Sequence, residues 1–152
     1  MKAQVKVVGK LFWAKHMAEP NRQFNETNNK YEICIGDLSD AVVQRLTNEL
    51  GIKVKQKADD SYGRGKYVIA KSNYVIRAVD GQGNEVSPDQ IGNGTMAECT
   101  LSSYSHKLSA LHGNGVSILH SSSNPGLKIK QLVAPPVQQD DVLYQSSWYN
   151  YL

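Results

Sequence analysis

Residues 2–13, KAQVKVVGKLFW, alternate in polarity. Ala3, Val5, Val7, Leu11 and Trp13 fall on one face, Lys2, Gln4, Lys6, Lys10 and Phe12 on the other, and Val8 is out of step. A period of two over this length predicts a strand buried on one side. The pattern lapses through the polar run HMAEPNRQFNETNNK (16–30), which reads as a loop, and YEICIG (31–36) gives a short second strand. At Ser39 the spacing changes. Val42, Val43, Leu46 and Leu50 make a stripe at helical spacing. Ser39 suits an N-cap, Asp40 opens the first turn, Leu38 and Val43 occupy the staple positions, and Gly51 is placed to end the helix. The spacing predicts one helix over about 39–50 with a single face on a sheet.

Residues 53–66, KVKQKADDSYGRGK, are polar and read as a mobile connection. Beyond them, β-like segments recur at short spacing: 66–72, 74–80, 96–105, 115–122 and 127–133, separated by turn-forming stretches such as DGQGNEVSPDQ and SSNPG. Many short strands with one helix predict a mainly β protein built as a small mixed barrel. From Ala134 periodicity stops. The stretch 134–152 opens with Pro135-Pro136 and reads as a flexible tail carrying Tyr144, Trp148, Tyr149 and Tyr151, so the expected division is a domain over 1–133 and a tail over 134–152.

A chain of 152 residues suits one domain with a real core. No apolar run approaches the about 18 residues that span a bilayer, and the first ten residues lack the apolar centre of a secretory signal. The expectation is a non-secreted protein without a membrane partner, in which Cys34 and Cys99 are buried, reduced thiols. The net charge of +3 is unevenly distributed. All 17 Lys and Arg lie before residue 138 against 12 acids, whereas the last 15 residues hold only Asp140 and Asp141. A basic body with a slightly acidic tail points to a polyanionic partner.

Two Gly-Asn-Gly turns, at 92–94 and 113–115, invite a phosphate-loop reading. A P-loop needs Gly-x4-Gly-Lys-Ser/Thr between a strand and a helix. Here the glycines lead into alternating β residues, without the helix N-terminus that would hold phosphate, so they read as backbone punctuation launching strands. His16, His106, His112 and His120 show no metal-ligand spacing. The acids of residues 1–60 form no evident two-carboxylate pair, and Ser102, Ser103 and Ser105 lack a nucleophile's elbow. Nothing argues for an enzyme, a cofactor or a metal.

What stands out is aromatics and cations sharing strand faces. Over 97–106, Ala97, Cys99 and Leu101 oppose Glu98, Thr100, Ser102, Tyr104 and His106. Lys128 and Lys130 oppose Leu127 and Ile129, Lys6 and Lys10 share a face with Phe12, and Lys66, Tyr67, Lys71, Tyr74 and Arg77 interleave. Cations track phosphates and aromatic faces stack on unpaired bases, so such surfaces suit a flexible single strand.

The order of features from residue 66 onward is GKYVIAKS, RAVDGQGNEV, IGNGT, a strand ending in SYSH, GNGVSILHS and LKIKQLV. That order resembles the single-stranded DNA-binding proteins of tailed phages, the gene-2.5-type family, over about 70 residues. The resemblance implies an OB-fold five-stranded Greek-key barrel with extra strands and the helix near 39–50. It implies a non-enzymatic protein that coats single-stranded DNA in phage replication, recombination and repair, in the host cytoplasm. By the resemblance Tyr104 takes the place of an aromatic on the DNA face, and Lys66, Tyr67 and Lys71 lie on the strand bordering the groove. Face and charge add Lys6, Lys10, Phe12, Arg77, His106, Lys128 and Lys130. Family tails are often strongly acidic, end in an aromatic and recruit replication proteins. Here the weak acidity points instead to docking through the aromatics, or to packing on a neighbouring molecule, and leaves a homodimer open. An OB-type protein-interaction module and an RNA-binding protein are the competing readings. The loops 14–30 and 53–65 are open to a DNA-contacting role.

Overall fold

The computed structural model describes residues 3–23, 25–57, 60–105, 109–121 and 123–135. Within them run β1 (Val5–Phe12), a 3-10 turn (Ala14–Met17), β2 (Tyr31–Gly36), α1 (Asp40–Leu50), β3 (Lys55–Gln56), β4 (Lys66–Ser72), β5 (Ala78–Val79), β6 (Glu85–Val86), a 3-10 turn (Pro88–Gln90), β7 (Thr95–Tyr104), α2 (Ser109–His112), β8 (Gly115–Ile118) and β9 (Leu127–Gln131).

Five strands close a ring. β1 pairs antiparallel with β2, β2 with β4, β7 with β8, and β7 with β1, while β4 and β8 join in parallel. This is the OB fold, a Greek-key barrel that removes the edges of its own sheet. β7 is ten residues long and serves as the hub. One edge takes β1. The other takes β8 near Leu101–Tyr104 and β9 near Met96–Glu98. Period-two alternation points Val5, Val7, Ile33, Ile35, Val68, Ala70, Ala97, Leu101 and Val116 inward, all buried in one core.

The helix follows its local signals. The Ser39 hydroxyl accepts from the Val42 amide at 3.3 Å, and Gly51 ends the helix at φ 67° with its amide donating to Thr47. Leu46 and Leu50 are buried and Val42 and Val43 pack against the core. Gly92 and Gly94 do serve the turn before β7. Gly94 takes φ 94°, and a Cβ on Gly92 would stand 2.6 Å from the Ala134 carbonyl oxygen. The buried Thr95 hydroxyl donates to the Gly92 carbonyl at 2.8 Å and accepts from the Val133 amide at 2.9 Å, which pins the last described segment to the barrel.

Several expectations need correction. Trp13 does not continue the inner face of β1, because the chain leaves the strand at φ 57°, ψ 53° and turns the indole outward. Phe12 is the buried ring instead, at 3% exposure. It lies against Gly36, which offers no side chain, and beside Trp13, so it lines the hollow at Trp13 as a buried ring rather than as an open stacking platform. Met17, inside the segment read as a polar loop, is fully buried. Of residues 74–80 only Ala78–Val79 is strand. The 53–66 connection contributes β3, which pairs with β4, and is tethered at Arg64 as described below. His106 and residues 136–152, with Asp140, Asp141, Tyr144, Trp148, Tyr149 and Tyr151, lie outside the described residues.

Candidate nucleic-acid interface

The outward face of β2, β4, β8 and the end of β7 is set by the same alternation that builds the core. It carries Glu32 and Cys34, then Tyr67, Ile69 and Lys71, then Gly115 and Ser117, then Tyr104. Two hollows meet there and share Glu32 and Ile69 as walls. One is bounded by Lys53, Lys55, Lys71, His112 and Tyr104, the other by Trp13, Lys15 and His16. A third, with Lys30 and Asn73, shares Lys71 and Tyr104 with the first. Together they form an open groove across the barrel. Tyr104 is opposite Gly115 in the β7–β8 register, and its ring lies flat over that residue: a Cβ there would be 2.2 Å from the ring. The second Gly-Asn-Gly therefore does more than launch a strand, because it makes room for an aromatic. Burial pushes the Tyr104 phenol pKa up, so it stays neutral at pH 7. Glu32 places a carboxylate in this groove, 3.9 Å from Lys71.

At the β1 end sits a compact cation–aromatic cluster. The Arg64 guanidinium stands 4.6 Å from the Tyr67 ring centre, 5.0 Å from Trp13 and 6.0 Å from Tyr62, and Trp13 and Tyr62 meet edge to face at 5.1 Å. Such contacts contribute about 0.5–2 kcal/mol each. Arg64 is 8% exposed and pairs with Asp60 at 3.3 Å. Burial disfavours the charge on Asp60, but hydrogen bonds from Arg64 and from the Tyr62 and Gly65 amides hold its pKa below the usual carboxylate range. Tyr62 is 57% exposed and Trp13 half-buried, so the cluster presents ring surface to solvent. The Trp13 amide donates to the Asn93 side chain at 2.9 Å, which ties the first Gly-Asn-Gly turn to this site.

The structure brings Tyr67, Lys71 and Tyr104 together on this face. Lys66 is turned to α1, where it meets Asp40 at 3.2 Å. Lys10 pairs with Asp37 at 3.3 Å. Lys6 and Lys130 lie on the β1–β7–β9 side, both bonded to Glu98, at 3.2 and 3.0 Å. Those bonds, from Lys130 and then Lys6, hold Glu98 below its ordinary pKa. Lys128 is on the same side, beside Thr100 and Asn124. Arg77 stands beside Tyr74 and His120. Sequence reasoning missed Trp13, and it left Lys15, Lys53, Lys55, Tyr62 and Arg64 unnamed within the loops 14–30 and 53–65 that it held open to a DNA-contacting role. The available signal was the aromatic and arginine between glycines in SYGRGKY, within a stretch otherwise read as a connection.

Cys34 and Cys99 are free and buried. Burial raises both thiols from 9.0 to about 12. The thiolate is the reactive form, so the folded protein is expected to resist a disulfide reagent at pH 8 while the unfolded chain titrates two thiols. Because the folded pKa values are raised, their contribution to stability is full below pH 9 and is lost as pH climbs toward 12. A denaturation series across that range reads the loss.

The closed ring and outward groove define an OB-fold protein. No protein-family model matches the sequence, and no curated protein matches it by sequence. Among solved structures the fold is similar to the single-stranded DNA-binding protein of bacteriophage Enc34 in complex with ssDNA, with a TM-score of 0.60 and 13% identity over 87% of this chain and 88% of that chain. It is also similar to the C-terminally truncated form of that protein, with 0.54 and 14% over 88% of each chain. A further similar structure is gp2.5, a single-stranded DNA binding protein encoded by bacteriophage T7, with 0.50 and 13% over 100% of this chain and 99% of that one. At such identities the likeness establishes a shared fold.

Proposed function

We propose that this protein binds single-stranded DNA without sequence preference and coats it during phage DNA replication, recombination and repair in the host cytoplasm. The observation that carries the reading is the groove itself. Trp13, Tyr62 and Tyr67 lie on one side of Ile69 and Tyr104 on the other, with Lys15, Lys53, Lys55 and Lys71 lining the hollows around them. Aromatic faces accept any base and the lysines track the backbone. The action is binding rather than catalysis. The phage structures that share the fold are named for single-stranded DNA binding, and one holds ssDNA, which supports this reading.

Titration with labelled oligo-dT, poly-U and duplex DNA tests it. Oligo-dT is expected to bind well ahead of duplex, because paired bases cannot reach the rings. If the four groove lysines each neutralise a phosphate, log affinity falls against log salt with a slope of about −3, at roughly 0.7 per phosphate. Equal binding of duplex and single strand would overturn the proposal, and preference for poly-U would make RNA the partner.

A further inference from the structure

Beyond the Tyr104 end of the groove the chain leaves β4 and rounds the rim of the barrel. Asn73 lines the last hollow of the groove, together with Lys30 and Lys71. The next residue, Tyr74, lines a separate hollow of about 490 Å3 with Val75, Arg77, His120 and Ser121, within the rough 300–1,000 Å3 range of small-ligand sites. The two share a hinge at Ser72. Its hydroxyl accepts from the Tyr74 amide at 3.0 Å, donates to the Tyr74 carbonyl at 2.8 Å, and meets His120 Nε2 at 2.6 Å. The backbone of Tyr74 is therefore clamped while its ring is 74% exposed. Val75 is also exposed. A ring held out on a fixed base loses little freedom on stacking. Arg77 supplies the charge. It is half-buried, donates to the Ser121 carbonyl at 3.0 Å and reaches the exposed Glu85 carboxylate at 3.7 Å. Burial and then Arg77 lower the His120 pKa, so the cation of this hollow at neutral pH is Arg77.

We propose that this hollow is an added nucleotide subsite, which takes the strand as it leaves the groove, with a base stacked on Tyr74 and the adjoining phosphate at Arg77. The inference rests on the reading of the groove as a single-strand site. It makes the occupied length longer than the barrel face alone and gives Tyr74 a role only in long strands.

The test compares oligo-dT of about 4 and about 16 nucleotides, the limits for one OB fold, on the full chain. Wild type, Tyr74→Ala, Arg77→Gln and Tyr104→Ala are titrated by anisotropy. Tyr74→Ala is expected to weaken the long oligomer by roughly 5- to 150-fold, the equivalent of losing one stacked base, and to leave the short one unchanged. Arg77→Gln should weaken the long oligomer and flatten its salt slope by about 0.7. Tyr104→Ala should weaken both lengths. The ring of Tyr74 packs on so little that Tyr74→Ala should melt as wild type does. If wild type and Tyr104→Ala behave as stated but Tyr74→Ala leaves the long oligomer unchanged, or weakens both lengths equally, the subsite is overturned and the groove stands. If wild type binds neither oligomer, the groove reading falls and the subsite with it.

Discussion

Trp13→Ala is expected to weaken binding of oligo-dT by about 2–4 kcal/mol, because it removes both a stacking platform, worth roughly 1–3 kcal/mol, and one of the rings that hold Arg64. The backbone makes the case sharper. Trp13 stands at φ 57°, ψ 53°, a conformation that costs a non-glycine residue about 1–2 kcal/mol. It is held there by the Asn93 side chain. Strain of this kind persists where surrounding structure over-determines it, and it marks functional sites. Trp13→Gly separates the two contributions. It should lose as much affinity as Trp13→Ala, yet unfold at higher denaturant, since glycine relieves the strain. Anisotropy titrations and chemical denaturation of both variants read these quantities. If Trp13→Ala binds as wild type does, the cluster serves only to anchor the 60–65 loop.

What could be read from the chain depended on how local its causes are. The helix was legible because Ser39 and Gly51, its caps, are next to the residues they cap. The alternation over 96–105 and 127–133 was legible because a strand's period survives in any sheet, although the strands end at Tyr104 and Gln131. The outward turn of Trp13 was not, since its amide is capped by a side chain 80 residues away. The tether at 60–65 was hidden for a similar reason. Arg64 reads as a surface cation until β1, β4 and its own loop deliver three rings around it. The lysines show a different limit. Period two says that Lys6, Lys71 and Lys130 point outward, but a closed barrel has an outward side all round. Only the pairing of strands separates the Lys71 groove from the Glu98 cluster that engages Lys6 and Lys130. Of the four residues carried over by the resemblance, Tyr67, Lys71 and Tyr104 share one face because of the strands they sit on, whereas Lys66 turns to Asp40 at the start of α1.

Gly115→Val is expected to weaken single-strand binding by about 1–3 kcal/mol although it replaces no side chain that contacts DNA in the proposed groove. A Cβ at this position would meet the Tyr104 ring at 2.2 to 2.7 Å, so the ring must leave its place over β8. The backbone itself accepts the change. Gly115 is not among the glycines with positive φ, and a β-branched residue suits a strand. The fold should therefore keep nearly its full stability while the platform is lost. The decisive comparison is with Tyr104→Ala. If Gly115 acts only by seating the ring, the two losses are not additive, and the double variant binds no more weakly than either single one. Additive losses would mean that β8 meets the strand independently of Tyr104. In that case the groove floor, rather than its aromatic wall, sets the affinity at this end.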